Sequence, residues 1–198
     1  DGALGCALSH AEQWRRVISS GGGRTIIEDD AVFCKNFEEE HKRLLKTLPE
    51  TWDILLWGYS FYSPIAYDLL PQFSSCITFV NYLNLREDIS MYKEASIEGD
   101  LFRLVQTFGL FCYSISPKGA KKFLEFCFPI RPIGVLHPDY KHVHSKNISI
   151  PGYSRPIDNY SIDIAMAALY PESEAYVCVP PLVFATKDEM TTETTSDV

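Results

Sequence analysis

The sequence predicts an α/β fold in which a mainly parallel central sheet is flanked by helices. Short apolar runs recur along the chain, and stretches with helical spacing or helix-start signals fall between them. Size agrees: 198 residues, 46% hydrophobic and 22% charged, can bury one core and have a folded rather than a disordered balance. No repeat or linker interrupts the pattern, so residues 1–198 read as a single domain.

From Leu4 to Ile18 the apolar residues Leu4, Leu8, Ala11, Trp14 and Ile18 recur at helical spacing, which predicts a helix with one buried face. At about 100° per residue, His10 falls just outside the edge of that stripe, beside Trp14. Gly21-Gly22-Gly23 ends the helix, and Arg24 to Ile27 reads as a short buried strand running into Glu28-Asp29-Asp30. Asn36 suits the cap of a second helix, Phe37 to about Leu48, with Glu38, Glu39 and Glu40 in its first turn and Pro49 closing it.

Trp52 to Trp57 is another apolar strand, closed by Gly58, and the aromatic, proline-punctuated stretch from Tyr59 to Pro71 reads as a surface loop. Cys76 to Leu83 has strand character, Asn84 to Asp100 a surface excursion, and Thr107 to Ile115 a strand again. Ser116-Pro117 opens a helix through Cys127, with Ser at the N-cap and Pro at the first position. Pro129 to Pro156 is irregular, Asp158 to Leu169 helical, and Ala175 to Val179 a last strand before a polar tail.

The formal charge of −8 and the lack of any Lys/Arg stripe argue against a nucleic-acid partner, whose affinity rests on neutralised phosphates. The six cysteines form no C-x-x-C pair and sit mostly in apolar company, which favours small buried thiols in a reducing compartment over a disulfide framework. No apolar run is long enough to span a bilayer.

The feature richest in chemistry is Glu28-Asp29-Asp30, three consecutive carboxylates directly after an apolar strand. Like charges packed so closely repel unless a cation lies between them. Hard divalent cations prefer such oxygens and share them with substrate phosphates. A solvated acidic turn explains the same residues, and spacing alone does not separate the two. His137, His142 and His144 lack helical metal-ligand spacing and read as loop residues. Tyr59, Phe61 and Tyr62 suit either a sugar-stacking platform or an exposed aromatic loop.

Gly5-Cys6-Ala7-Leu8-Ser9-His10, Trp14 and Ile26-Ile27-Glu28-Asp29-Asp30-Ala31 together resemble the signature of glycosyltransferase family 25, the lipooligosaccharide and collagen galactosyltransferase family. Tyr113 to Lys122 is similar to that family's Tyr-(apolar)-(apolar)-Ser-x-x-Gly-Ala segment, Pro156-Ile157-Asp158 to its Pro-(apolar)-Asp motif, and Pro180-Pro181-Leu182 with Ser196-Asp197-Val198 to its closing segment. The resemblance implies a GT-A-like nucleotide-diphosphosugar fold. It also implies inverting transfer of galactose or glucose from a UDP-sugar to a saccharide hydroxyl, with Mn²⁺ or Mg²⁺.

Glu28 and Asp30 take the first and third places of a DxD-type motif. Asp30 is then the metal ligand on the diphosphate, Glu28 faces the ribose or the metal, and Asp29 faces the sugar. Ser9 and His10 belong near the donor, positioning that loop. The resemblance implies that Asp158 is the catalytic base, although an Asp after Pro156 also suits a helix N-cap. Many GT-A enzymes use a late His as a further metal ligand; no His follows His144 here, and Asp188 or Asp197 are the substitutes available.

The family pattern normally opens with a Val-Ile-Asn-Leu strand and an Arg-bearing turn, so the resemblance implies a domain lacking its N-terminal nucleotide-binding strand. The acceptor it implies is a lipooligosaccharide or a glycoprotein glycan. The location the resemblance implies is cytoplasmic at the inner face of a membrane, or alternatively the endoplasmic reticulum lumen. A degenerate relative that binds a glycan or a partner without catalysis is the competing reading.

Overall fold

The computed structural model describes residues 2–61, 64–70, 73–79, 89–131, 134–135, 157–158 and 161–185. Its centre is a sheet of seven strands. Among the described residues eleven strands follow in chain order: β1 (Arg24–Ile27), β2 (Ala31–Phe33), β3 (Ile54–Gly58), β4 (Ile65–Leu70), β5 (Ser74–Thr78), β6 (Asp100–Gln106), β7 (Cys112–Ile115), β8 (Gly134–Val135), β9 (Ile157–Asp158), β10 (Ala175–Val179) and β11 (Val183–Ala185). The α-helices among the described residues are α1 (Gly2–Ser20), α2 (Phe37–Leu45), α3 (Ile89–Glu94), α4 (Pro117–Cys127) and α5 (Ile162–Ala167). The large sheet runs β1-β7-β3-β10-β6-β4-β5, and β11-β2 and β8-β9 form two small ribbons.

β3 shows why its sequence is apolar throughout. Ile54 and Leu56 face one core, with Trp14 of α1, Tyr113 of β7, and Phe123 of α4. Leu55 and Trp57 face the other, with Leu44 of α2, Tyr92 of α3, and Val183 and Phe184 of β11. A strand covered on both faces loses the polar alternation of a half-exposed one. The chain is therefore α/β, with helices on both sides of a mixed sheet.

The expected mainly parallel sheet is corrected. Among the described strands only β3 and β10 pair in parallel, and every other pairing is antiparallel. Part of the difference lies in Tyr59 to Pro71, expected as a surface loop. Tyr59 and Ser60 are buried, and Ile65–Leu70 forms β4, which turns back directly on β5. A return that short cannot make the crossover a parallel pair needs.

Further boundaries move. Asn84 to Asp100 is more than a surface excursion: α3 buries Tyr92, and Asp100 opens β6, a strand the apolar pattern did not reveal. Asn36 precedes α2 without capping it by its side chain. Instead it exchanges two hydrogen bonds with the Ile97 backbone, donating at 3.0 Å and accepting at 2.8 Å. Strand character from Thr107 narrows to Cys112–Ile115, and the helix expected from Asp158 starts at Ile162. β10 is followed by β11, so it is not the last strand.

α4 forms where its signals place it. The Ser116 side chain accepts from the Gly119 amide at 3.0 Å, and Pro117 takes the first turn. Gly119 is required by packing: a Cβ there would lie 2.1 Å from the Asp53 carbonyl oxygen. The helix start is further pinned by buried Asp53, whose carboxylate meets Lys118 at 3.0 Å and Lys122 at 3.5 Å and accepts from the Glu174 amide at 2.9 Å. All six cysteines are free thiols. No described helix is long and apolar enough to cross a membrane.

Candidate functional site

The site grows from the contact of α1 with β7 and the end of β1. α1 ends at Gly21, whose φ of 70° is a left-handed conformation that glycine adopts without strain. Its buried face is Ala7, His10, Ala11, Trp14 and Val17, whereas Leu4, Leu8 and Ile18 are exposed. The predicted stripe is thus rotated, and His10 lies inside it, 5% exposed. The burial is stabilised because both ring nitrogens of His10 and the Trp14 N–H find polar partners.

Those partners form a chain. The Trp14 indole N–H donates to the Tyr113 hydroxyl at 2.9 Å, and that hydroxyl lies 2.8 Å from His10 Nδ1. His10 Nε2 lies 3.3 Å from Glu28 Oε1. Burial alone would lower the His10 pKa; the Cys6 sulfur and the Glu28 carboxylate more than offset it and raise it to about 9. In its protonated form His10 donates to Tyr113 through Nδ1 and to Glu28 through Nε2. Burial drives the Tyr113 hydroxyl pKa well above its ordinary value, so Tyr113 remains a neutral phenol.

β1 presents Glu28. It is the edge strand of the large sheet, antiparallel to β7, and Ile27 is 52% exposed, so the predicted burial of this strand is only partial. The Glu28 amide continues the ladder by donating to the Phe111 carbonyl at 2.9 Å. A turn follows, closed by the Ala31 amide on the Glu28 carbonyl at 3.2 Å, and β2 leaves to pair with β11. Glu28, Asp29 and Asp30 thus occupy the point where the chain passes from the large sheet to a ribbon. Glu28 turns back toward His10, Asp29 is exposed, and Asp30 is half-buried.

A diphosphate-bound Mn²⁺ or Mg²⁺ needs only one or two protein carboxylates, because phosphates and water complete its oxygen shell. Asp30 and Glu28 on this turn have the right donor chemistry. Glu28, Asp29 and Asp30 do not by themselves bring three ligand atoms to one point; among the described residues the set that does is Cys6, His10 and Glu28.

Ser9 lies on the exposed side of α1, and its hydroxyl donates to the Gly5 carbonyl one turn back at 2.9 Å. Asp158 lies in β9, opposite Gly134 of β8. This corrects its expected place at a helix start, since Ser161 precedes α5. Asp163 on α5 accepts from the Gly109 amide at 3.1 Å and from the Ser161 hydroxyl, which ties α5 to the segment leading into β7. Tyr59 is buried and Phe61 packs on Phe184, so neither is an exposed stacking platform. Tyr62, His137, His142, His144, Asp188 and Asp197 lie outside the described residues.

The structure therefore brings His10 together with Glu28 and adds Cys6, Tyr113 and Trp14, whose shared role the sequence reading did not assign. The signal for Cys6 was its spacing: residues four apart on a helix stand on one face, a turn from each other. Tyr113 had no such local signal, because it reaches His10 from a strand 103 positions away.

The model of glycosyltransferase family 25 (LPS biosynthesis protein) matches residues 1–139. The chain belongs to glycosyltransferase family 25. Among curated proteins it is similar to the inactive glycosyltransferase 25 family member 3 of Mus musculus, 28% identical over 126 residues, covering 62% of this chain and 17% of the relative. The protein of that name in Homo sapiens is 33% identical over 67 residues, covering 32% of this chain and 11% of the relative. In Rattus norvegicus, the "Probable inactive glycosyltransferase 25 family member 3" is 34% identical over 77 residues, or 35% of this chain and 14% of the relative. The chain spans less than a fifth of the length of these relatives. No solved structure matches it.

Proposed function

We propose that this chain takes part in metal-dependent transfer of a hexose, galactose or glucose, from a UDP-sugar to a saccharide hydroxyl with inversion at the anomeric carbon. The observation that carries the reading is the Glu28-Asp29-Asp30 turn at the sheet edge, held by His10, in a chain of family 25. Asp30, with Glu28, would hold a Mn²⁺ or Mg²⁺ whose positive charge offsets that of the departing nucleotide diphosphate. Tyr113 and Trp14 fix the His10 ring, and the His10 imidazolium orients the Glu28 carboxylate through a charge-assisted hydrogen bond. Asp158 would take the acceptor hydroxyl proton as the general base, and Asp29 and Ser9 lie on the donor side. The acceptor is a lipooligosaccharide or a glycoprotein glycan.

The proposal assigns separable roles. Asp30→Ala is expected to abolish metal-dependent UDP binding, whereas Asp158→Ala should spare it and remove transfer. Titrating UDP into each variant and assaying release of UDP from UDP-galactose and UDP-glucose tests the assignment. If Asp158→Ala weakened UDP binding as severely as Asp30→Ala, Asp158 would belong to the donor site and not to proton removal.

A second reading rests on the names of the mammalian relatives, which are called inactive. Under it the chain is a non-catalytic family member that binds a glycan or a partner. Absence of any metal-dependent UDP binding in the intact chain selects this reading.

A further inference from the structure

Cys6 and His10 stand one helical turn apart on α1, and the end of β1 brings Glu28 to them. The Cys6 sulfur, a His10 ring nitrogen and a Glu28 carboxylate oxygen all lie within 4.8 Å of one another. His10 Nε2 and Glu28 Oε1 are 3.3 Å apart. Two ligands each about 2.0 Å from a tetrahedral zinc ion stand about 3.3 Å apart, so this pair is already at ligand spacing.

The support around the histidine has the form such sites use. Tyr113 holds Nδ1 at 2.8 Å and is itself held by Trp14, which leaves Nε2 directed at Glu28. The donor set also discriminates between metals. Manganese and magnesium favour oxygen ligands, whereas a thiolate with an imidazole favours zinc and its neighbours.

We propose that Cys6, His10 and Glu28 form a three-ligand site for a zinc-type divalent cation, with a fourth position open to water or another ligand. The site differs in chemistry from the carboxylate turn, although Glu28 belongs to both. When the cation enters, the Cys6 thiol proton and the Nε2 proton of His10 are released to solvent. Cys6 then binds as a thiolate, His10 through the Nε2 lone pair and Glu28 through a carboxylate oxygen. Nδ1–H continues to donate to Tyr113. The inference does not depend on glycosyl transfer and needs no nucleotide for its test.

The test is a titration of the reduced, intact chain with Co²⁺, followed by absorption. The expected result is saturable one-to-one binding with a near-ultraviolet sulfur-to-cobalt charge-transfer band that Zn²⁺ displaces. Cys6→Ser should remove the band. Glu28→Gln should keep it while weakening cobalt affinity by ~10-fold or more, since changes to outer-shell partners alone cost about 10–100-fold. Cys76→Ser, on the strand at the opposite edge of the sheet, should change nothing. Thermal melts of each metal-free variant identify those that fold.

No charge-transfer band in the parent chain would overturn the proposal. So would a band that survives Cys6→Ser or disappears with Cys76→Ser. Cobalt binding without the band that is lost in Asp30→Asn would assign the cation to the carboxylate turn, and likewise overturns it.

Discussion

His10 is buried with three groups of different charge character around it: the Cys6 sulfur, the Glu28 carboxylate and the Tyr113 hydroxyl. Its pKa, raised to about 9 from 6.5, makes a specific demand on the metal-free protein. A group whose folded pKa lies above its unfolded one contributes stability that is complete below the unfolded value and lost as pH rises through the folded value. Urea unfolding in EDTA should therefore show this contribution in full below pH 6.5 and falling toward pH 9, by no more than about 3–4 kcal/mol. Replacing Glu28 by Gln removes one of the two opposing groups. The His10 titration, followed by imidazole NMR, should then move down by about one pH unit or more. An unchanged midpoint would mean that Glu28 does not hold the charge of His10.

Tyr113 is tested by deletion of one oxygen. Tyr113→Phe preserves the ring but leaves the Trp14 N–H and His10 Nδ1 without their shared partner. The expected cost is about 1–3 kcal/mol of stability, measured by urea unfolding. A loss below about 0.5 kcal/mol would show that the hydroxyl bridge contributes little.

At the scale of elements, α4 and β10 were legible and α1 was legible only in part. Ser116, Pro117 and the amphipathic run to Cys127 are local signals, and the helix obeys them. In α1 the stripe counted Leu4, Leu8 and Ile18, yet the face turned to the core is centred on Ala7, His10, Ala11 and Trp14. Small Ala residues permit close approach to α4, and His10 is tolerated inside because Tyr113 and Glu28 partner it. Apolar periodicity has no term for either effect. β4 was hidden for a related reason: Pro64 and the aromatics preceding it read as a loop, but the run after Pro64 pairs with β5 and β6.

Gly119→Ala should destabilise the chain by about 1–3 kcal/mol, because helix propensity favours Ala but the Asp53 backbone occupies the space. Ser116→Ala should cost about 1 kcal/mol through loss of its cap. Denaturant midpoints of both variants check the ranking, and a more stable Gly119→Ala would refute the packing argument.

For the whole molecule, family and helix-covered sheet were readable because motifs and strand–helix alternation are written along the chain. Strand direction was not, since it depends on which strands meet. β10 adds beside β3 in parallel, while β7 inserts between β1 and β3 antiparallel to both. That insertion sets the site, because it places Tyr113 between α1 and the end of β1. The Glu-Asp-Asp turn was visible as carboxylates, and the family resemblance already put His10 near it; that Glu28 is the carboxylate His10 meets became visible only once β1 and β7 were paired.

We propose that this turn serves a cation-assisted nucleotide site. The most direct measurement is calorimetric titration of UDP into the intact chain with Mn²⁺ present and again in excess EDTA. Saturable binding with Mn²⁺ that is lost in EDTA, and lost in Asp30→Ala with Mn²⁺, is the predicted result. Equal affinity in Mn²⁺ and EDTA, or no binding under either condition, would contradict it.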